Sequence, residues 1–149
     1  MQLTPHFSLA ELTRTSVDAP NDPDLQSLRN LADLCRDVLE PVRAALGVPL
    51  KVNSGYRSVS VNRIIGGSRT SQHMQGLAAD VVPVGMDAEE AMKRISHEVE
   101  VGRLPHIDQA IVYVSGFLHL STSTRPRQQM LRSASRGGSG GPYSPYRSS

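Results

Sequence analysis

Apolar residues recur at helical spacing along one long stretch: Leu25, Leu28, Leu31, Leu34, Cys35, Val38, Leu39, Val42 and Leu46. Recurrence every three or four positions keeps one face apolar, so this stretch predicts the main amphipathic helix. Asp22 offers an N-cap, Pro23 suits the first helical position, and Gly47 ends the run. Pro41 lies inside it without the amide hydrogen that a helix interior needs, so a kink or division is expected there. A second helix is predicted over 87–100, with Ala88, Ala91, Met92, Ile95 and Val99 on one face. Two shorter ones are marked by their caps. Ser8 followed by Glu11 is a capping-box pattern for residues 8–13, and Ser58 can open a helix that runs to Ile65 and stops at Gly66-Gly67.

Short apolar runs bounded by turn residues predict strands. PLKVNSGYRS reads as a strand and a turn, and GLAADVVPV (76–84) as a buried strand. AIVYV and FLHLS read as a hairpin joined at Ser115-Gly116, and RQQML as a last strand. Helices dominate early and strands late. That order predicts an α+β fold with helices packed on a small antiparallel sheet.

A chain of 149 residues suits one compact domain and is thin for two. The boundary falls at residue 132, because 133–149 (SASRGGSGGPYSPYRSS) is a Gly/Ser/Pro-rich tail that cannot build a core. Two of the 16 basic residues, Arg136 and Arg147, lie in that tail, so residues 1–132 balance against 14 acidic ones. A neutral body with no Trp and 4% aromatics argues against nucleic acid as a partner. The single cysteine, Cys35, excludes an intramolecular disulfide and a Cys-based metal site, and its helical position predicts a core residue. No run approaches 18 apolar residues, so no membrane span is expected. MQLTPHFSLAEL lacks a basic start and an apolar run, which predicts cytoplasmic synthesis without a signal peptide.

The chemistry concentrates in SQHMQGLAAD, residues 71–80. Asp80 stands between Ala79 and Val81 in a predicted buried strand, and a buried carboxylate needs a partner or a metal. His73 precedes it in a loop, and Gly76 allows the turn that brings the two side chains together. His119 in GFLHLS is flanked by Leu118 and Leu120, so in a strand its imidazole faces away from both. Alone, His73 and Asp80 read as a hydrogen bond, and His119 as a core histidine. Together, two imidazoles and one carboxylate suit Zn²⁺, whose hydrolytic sites use three protein ligands and keep one position open for water.

SQHMQGLAAD resembles, at every fixed position, the S-x-H-x-x-G-x-A-x-D motif of the zinc peptidase family that contains the D-alanyl-D-alanine carboxypeptidases and dipeptidases. HFSLAEL, VLEPVRAALG, VNSGYRS and IGGSRTSQH are similar to its compact branch, common in phage genomes, and the likeness runs in order over about residues 4–132. It implies a single zinc D,D-peptidase-like domain with His73, Asp80 and His119 as zinc ligands. It also implies hydrolysis of peptide bonds in bacterial peptidoglycan, and Arg57 as the arginine that holds the substrate carbonyl. Ser71 matches the motif serine and is either a substrate contact or a brace for its loop. Gly55, Gly66 and Gly67 read as turn residues.

One departure stands out. Relatives often carry an acidic base about three positions before the last histidine, where this chain has Gly116. The compact branch has a glutamate six before, where this chain has Tyr113, and a phenol with a pKa of about 10 is a poor base near neutrality. His106 and Asp108 are close enough in sequence to substitute. His6 and His97 read as non-catalytic. Two readings therefore stand side by side. The first is a zinc peptidase cleaving peptidoglycan, phage-encoded and released at lysis or carried with the virion. The second is a structural or wall-binding virion component, a decoration or tail protein whose tail threads into a neighbouring subunit.

Overall fold

The computed structural model describes residues 1–135 and 141–147. Gln2–Thr4 (β1) and Phe7–Ser8 (β2) form a small hairpin that leads into Leu9–Thr13 (α1). The capping box is present: Ser8 accepts from the Glu11 amide while the Glu11 carboxylate accepts from the Ser8 amide. Leu25–Leu34 (α2) starts at Asp24, whose carboxylate accepts from the Ser27 amide, so the cap lies two residues beyond Asp22. The break expected at Pro41 occurs one turn earlier. Cys35–Leu39 widens into a π-turn in which the Glu40 amide reaches the Cys35 carbonyl, and Glu40–Leu46 (α3) then resumes with Pro41 in its first turn. The wide turn accommodates a residue that can neither donate nor tolerate the carbonyl four residues back.

The remaining elements are Leu50–Ser54 (β3), Val59–Ile65 (α4), a 3-10 turn at Gln72–Gln75, Ala78–Pro83 (β4), Ala88–Glu100 (α5), Ile107–Tyr113 (β5), Leu118–Thr122 (β6), Gln129–Ser133 (β7) and Tyr143–Pro145 (β8). Six strands form one sheet in the order β3-β4-β6-β5-β7-β8. All pairs are antiparallel except β5 with β7, so the sheet is mixed rather than wholly antiparallel. The reason is the path after β6. That strand ends beside the start of β5, with Thr122 opposite Ile107, and residues 123–128 round that end so that β7 begins at the same end as β5. Asp108 holds the loop, accepting from the backbone amide of Arg127 and from the Ser123 hydroxyl.

Alternation then divides the sheet into two faces. Val52, Ala79, Val81, Ala110, Val112, Leu118 and Leu120 join the helical residues Leu31, Leu34, Val38, Val42, Met92 and Ile95 in one core. Cys35 sits in that core, and burial pushes its thiol up to about 12, as expected of a packing residue. The opposite face carries Asn53, Asp80, Ile111, Tyr113 and His119 and floors a cleft of about 870 Å³. Within the Gly/Ser/Pro-rich tail, Tyr143–Pro145 adds an edge strand to β7, and Tyr146 packs against the core with the Arg132 guanidinium over its ring. Residues 136–140 and 148–149 of that tail lie outside the described residues. Among the described residues no helix is long and apolar enough to cross a membrane.

Candidate metal centre

Asp80 and His119 are direct cross-strand neighbours, one on β4 and one on β6. Such pairs hold their side chains about 5 Å apart on one face. Here His119 Nδ1 comes within 3.0 Å of Asp80 Oδ1. His73 arrives from the 3-10 turn just before β4 and places Nε2 3.4 Å from the same oxygen. That turn is built by its ends. The Ser71 hydroxyl accepts from the His73 amide, and Gly76 closes the turn at φ +73°. A Cβ on Gly76 would also lie 2.5 Å from the Ser27 carbonyl oxygen of α2, so the position excludes any side chain on two grounds.

All three ligand atoms lie within 4.8 Å of one another, and all three residues are buried. The edges of a tetrahedron around Zn²⁺, with bonds of about 2.0–2.1 Å, are about 3.3 Å long, so the His73–Asp80 and His119–Asp80 separations suit such an ion. The tautomer fits as well. His73 Nδ1 donates to the Gly55 carbonyl at 2.7 Å, which leaves the Nε2 lone pair facing the carboxylate. Nε2 is fully buried with no hydrogen-bond partner among the described residues, so its lone pair is available to a metal ion. Burial pushes the His73 imidazole below its ordinary pKa, toward the neutral form that binds metals. Burial alone would raise the Asp80 carboxyl, but His73 and the bond from His119 outweigh it and hold the group below the usual carboxylate range.

Asp80 Oδ2 takes a different partner, Arg57 Nη2 at 3.3 Å. Arg57 is buried to 6% exposure and also donates from Nε to the Ser54 hydroxyl. Its loop is stapled by Asn21, which donates to the carbonyls of Thr13 and Tyr56 and accepts from the Ser58 amide. Gly55 proves to be more than a turn residue. Its carbonyl orients His73, and a Cβ there would meet the Leu12 carbonyl oxygen at 2.4 Å.

The other sequence candidates part company. Ser71 lines the cleft and braces the His73 turn. Tyr113 lines the cleft, stacks on Phe117 at 4.3 Å and places its hydroxyl 3.5 Å from that of Tyr143. His106 is exposed, does not line the cleft, and contributes its carbonyl to the Thr122 hydroxyl. Asp108 is buried to 2% exposure and committed to Arg127, which takes both carboxylate oxygens at 3.0 and 2.7 Å. The Arg127 pair holds its pKa down to about 2, so it is no base for chemistry near neutrality. Among the described residues lining the cleft, Asp80 is the sole carboxylate. His6 pairs with Glu40 at the surface, and His97 is exposed on α5.

Gln72, Gln109, Arg127 and Tyr143 also line the cleft. No motif announced them. Three come from turns or strand faces that carry a recognisable signal only once paired, and Tyr143 lies in the low-complexity tail.

Comparison with known proteins agrees with this geometry. The peptidase M15 family matches residues 5–121, which include all three candidate ligands and Arg57. The zinc D-Ala-D-Ala carboxypeptidase of Streptomyces albus G is 37% identical over 78 residues. The aligned stretch is 51% of this chain and 31% of that protein, so the likeness spans under a third of the relative's length.

Proposed function

Because the chain belongs to the peptidase M15 family, we propose that it is a zinc peptidase that hydrolyses peptide bonds of bacterial peptidoglycan. One observation carries the reading: a buried His73 Nε2 without a hydrogen-bond partner, aimed at a carboxylate oxygen that His119 also approaches. His73, Asp80 and His119 would hold the ion. When bound, it supplies Lewis acidity, polarising a carbonyl and acidifying water.

The protein's own groups do the rest. Gly55 fixes the orientation of His73, and the neutral imidazole keeps its lone pair on Nε2. Arg57 is held by Asp80 Oδ2 and Ser54 at the cleft wall, where a fixed guanidinium stabilises charge developing on a carbonyl oxygen. The phenol of Tyr113 offers an O–H donor on the same cleft face as His119.

The test is direct. Purified protein loaded with zinc is incubated with a blocked peptide ending in D-Ala-D-Ala and with isolated bacterial walls. Release of D-alanine or of new amino groups supports the reading. Stoichiometric zinc with no cleavage between pH 5 and 10 overturns it. That outcome would favour the second reading, a wall-binding component with the same fold, for which the want of a carboxylate other than Asp80 among the described residues lining the cleft speaks. The compact-branch stretches HFSLAEL, VNSGYRS and IGGSRTSQH support a phage origin under either reading.

A further inference from the structure

The outer edge of the main sheet is built by a segment whose composition gives it no core to join. Tyr143–Pro145 (β8) pairs antiparallel with β7, and all three of its residues are exposed. Burial of the strand's own side chains therefore does not explain the pairing. The anchor lies one residue further on. Tyr146 packs against the core, and its amide donates to the Met130 carbonyl at 3.0 Å. The Arg132 guanidinium sits 5.4 Å from the centre of the Tyr146 ring and pairs with the Glu89 carboxylate of α5. Held in this way, residues 141–147 run as a strap beside β7.

Register aims one ring of the strap. Tyr113 on β5 is the partner of Ser133 on β7, and Ser133 is in turn the partner of Tyr143. Residues paired across strands share a face, so Tyr143 stands on the cleft face with Tyr113. Two strand spacings separate them, about 10 Å. The residue between is small and fully buried, and the two side chains reach across it until their hydroxyls are 3.5 Å apart. Phe117 stacks on Tyr113 with ring centres 4.3 Å apart. All three aromatic residues line the cleft. Tyr143 comes from the outermost strand among the described residues and is 48% exposed, so it bounds the cleft at the sheet's edge.

We propose that residues 141–147 form a strap whose Tyr143 ring closes the cleft at the outer edge of the sheet, and that this strap selects unbranched over branched peptides. The proposal rests on the peptidase reading of the same cleft and adds a specificity-determining residue beyond the family-matched stretch, which ends at residue 121. The selection is steric. A branch that leaves the cleft over β7 must displace the Tyr143 ring, and a clash with the wrong ligand discriminates as well as a contact with the right one. The strap can also yield. Its strand buries no apolar side chain and is held by one anchoring ring and a short ladder. Segments with so few buried contacts open at a lower free energy than the whole domain unfolds. Loss of the Tyr146 anchor should therefore open the cleft while the domain stays folded.

The test separates this from turnover. Two probes carry a reduced CH₂–NH bond at the scissile position of a D-Ala-D-Ala peptide. One is unbranched, and the other bears a second peptide on a lysine side chain. Dissociation constants are measured by calorimetry on the zinc-loaded full chain. Wild type is expected to bind the unbranched probe about fivefold or more tightly than the branched one. Tyr143→Ala should bring the ratio to about one, and Tyr146→Ala should move it in the same direction. Tyr143→Phe keeps the ring and should keep the wild-type ratio, which a role for the hydroxyl alone would not. Melting temperature and zinc content identify any variant that has lost its fold, and Tyr143, exposed on an edge strand, leaves the core intact when truncated. A wild-type ratio near one, a ratio unchanged in Tyr143→Ala, or binding of neither probe overturns the proposal. Cleavage of the ordinary unbranched peptide is scored separately. Its absence alongside a Tyr143-dependent ratio would sink the peptidase reading and leave the strap standing, whereas cleavage with a ratio indifferent to Tyr143 would do the reverse.

Discussion

Asp80 divides its two oxygens between opposite tasks. Oδ1 faces both imidazoles and Oδ2 faces Arg57, so one residue would serve the candidate metal centre and also neutralises a buried cation. Asp80→Asn should therefore fail twice. Zinc content measured by atomic absorption should fall to background, and urea unfolding should show a loss of about 3 kcal/mol, because Arg57 is left buried without its counter-charge. His119→Ala should remove zinc at a smaller cost in stability, since its position at the cleft leaves no charge stranded. Arg57→Lys tests the other role. A point charge replaces a planar fork, so kcat should drop about a hundredfold while zinc stays stoichiometric. Equal activity of wild type and Arg57→Lys would remove Arg57 from the chemistry.

At the level of elements, the site depends on a turn and two strands of different rigidity. Asp80 and His119 are locked by the β4–β6 ladder, whereas His73 depends on the 3-10 turn and its closing glycine. Gly76→Ala must place a Cβ in a left-handed conformation and against a carbonyl oxygen of α2. The expected loss is about 3 kcal/mol. Displacement of the turn should weaken zinc binding about tenfold, read by competition with a chromogenic chelator. Unchanged zinc affinity would mean that the turn does not depend on this contact. The π-turn at Cys35–Leu39 shows the same coupling between a local rule and a global path. Proline's missing donor was visible in the sequence, but where the helix absorbed it was decided by the packing of Val38, Leu39 and Val42 in the core.

For the whole molecule, the β5–β7 crossover is tied by one buried carboxylate. Asp108 has a folded pKa of about 2 against an ordinary 3.8, so it favours the folded state at any pH above the unfolded value. That contribution, about 2 kcal/mol, is lost as pH falls from about 4 to about 2. Asp108→Asn should lower stability at pH 7, and the deficit should shrink steadily as pH falls from about 4 through about 2. A constant difference across that range would show that the ion pair is not the source. Local rules carried most of the remaining architecture. Caps placed α1 and α4, helical spacing of apolar residues placed α5, alternation placed His119 opposite Leu118 and Leu120, and the SQHMQGLAAD motif pointed to the candidate ligands. All of these depend on neighbours a few residues away, which a linear chain displays. The tertiary structure alone decided the parallel pairing of β7, the commitment of Asp108 to Arg127, the part of Gly55 in orienting His73, and the meeting of Gln109, Arg127 and Tyr143 around one cleft. Each joins residues far apart along the chain, and no short-range pattern encodes which distant partner a charge, a carbonyl or a strand edge will meet.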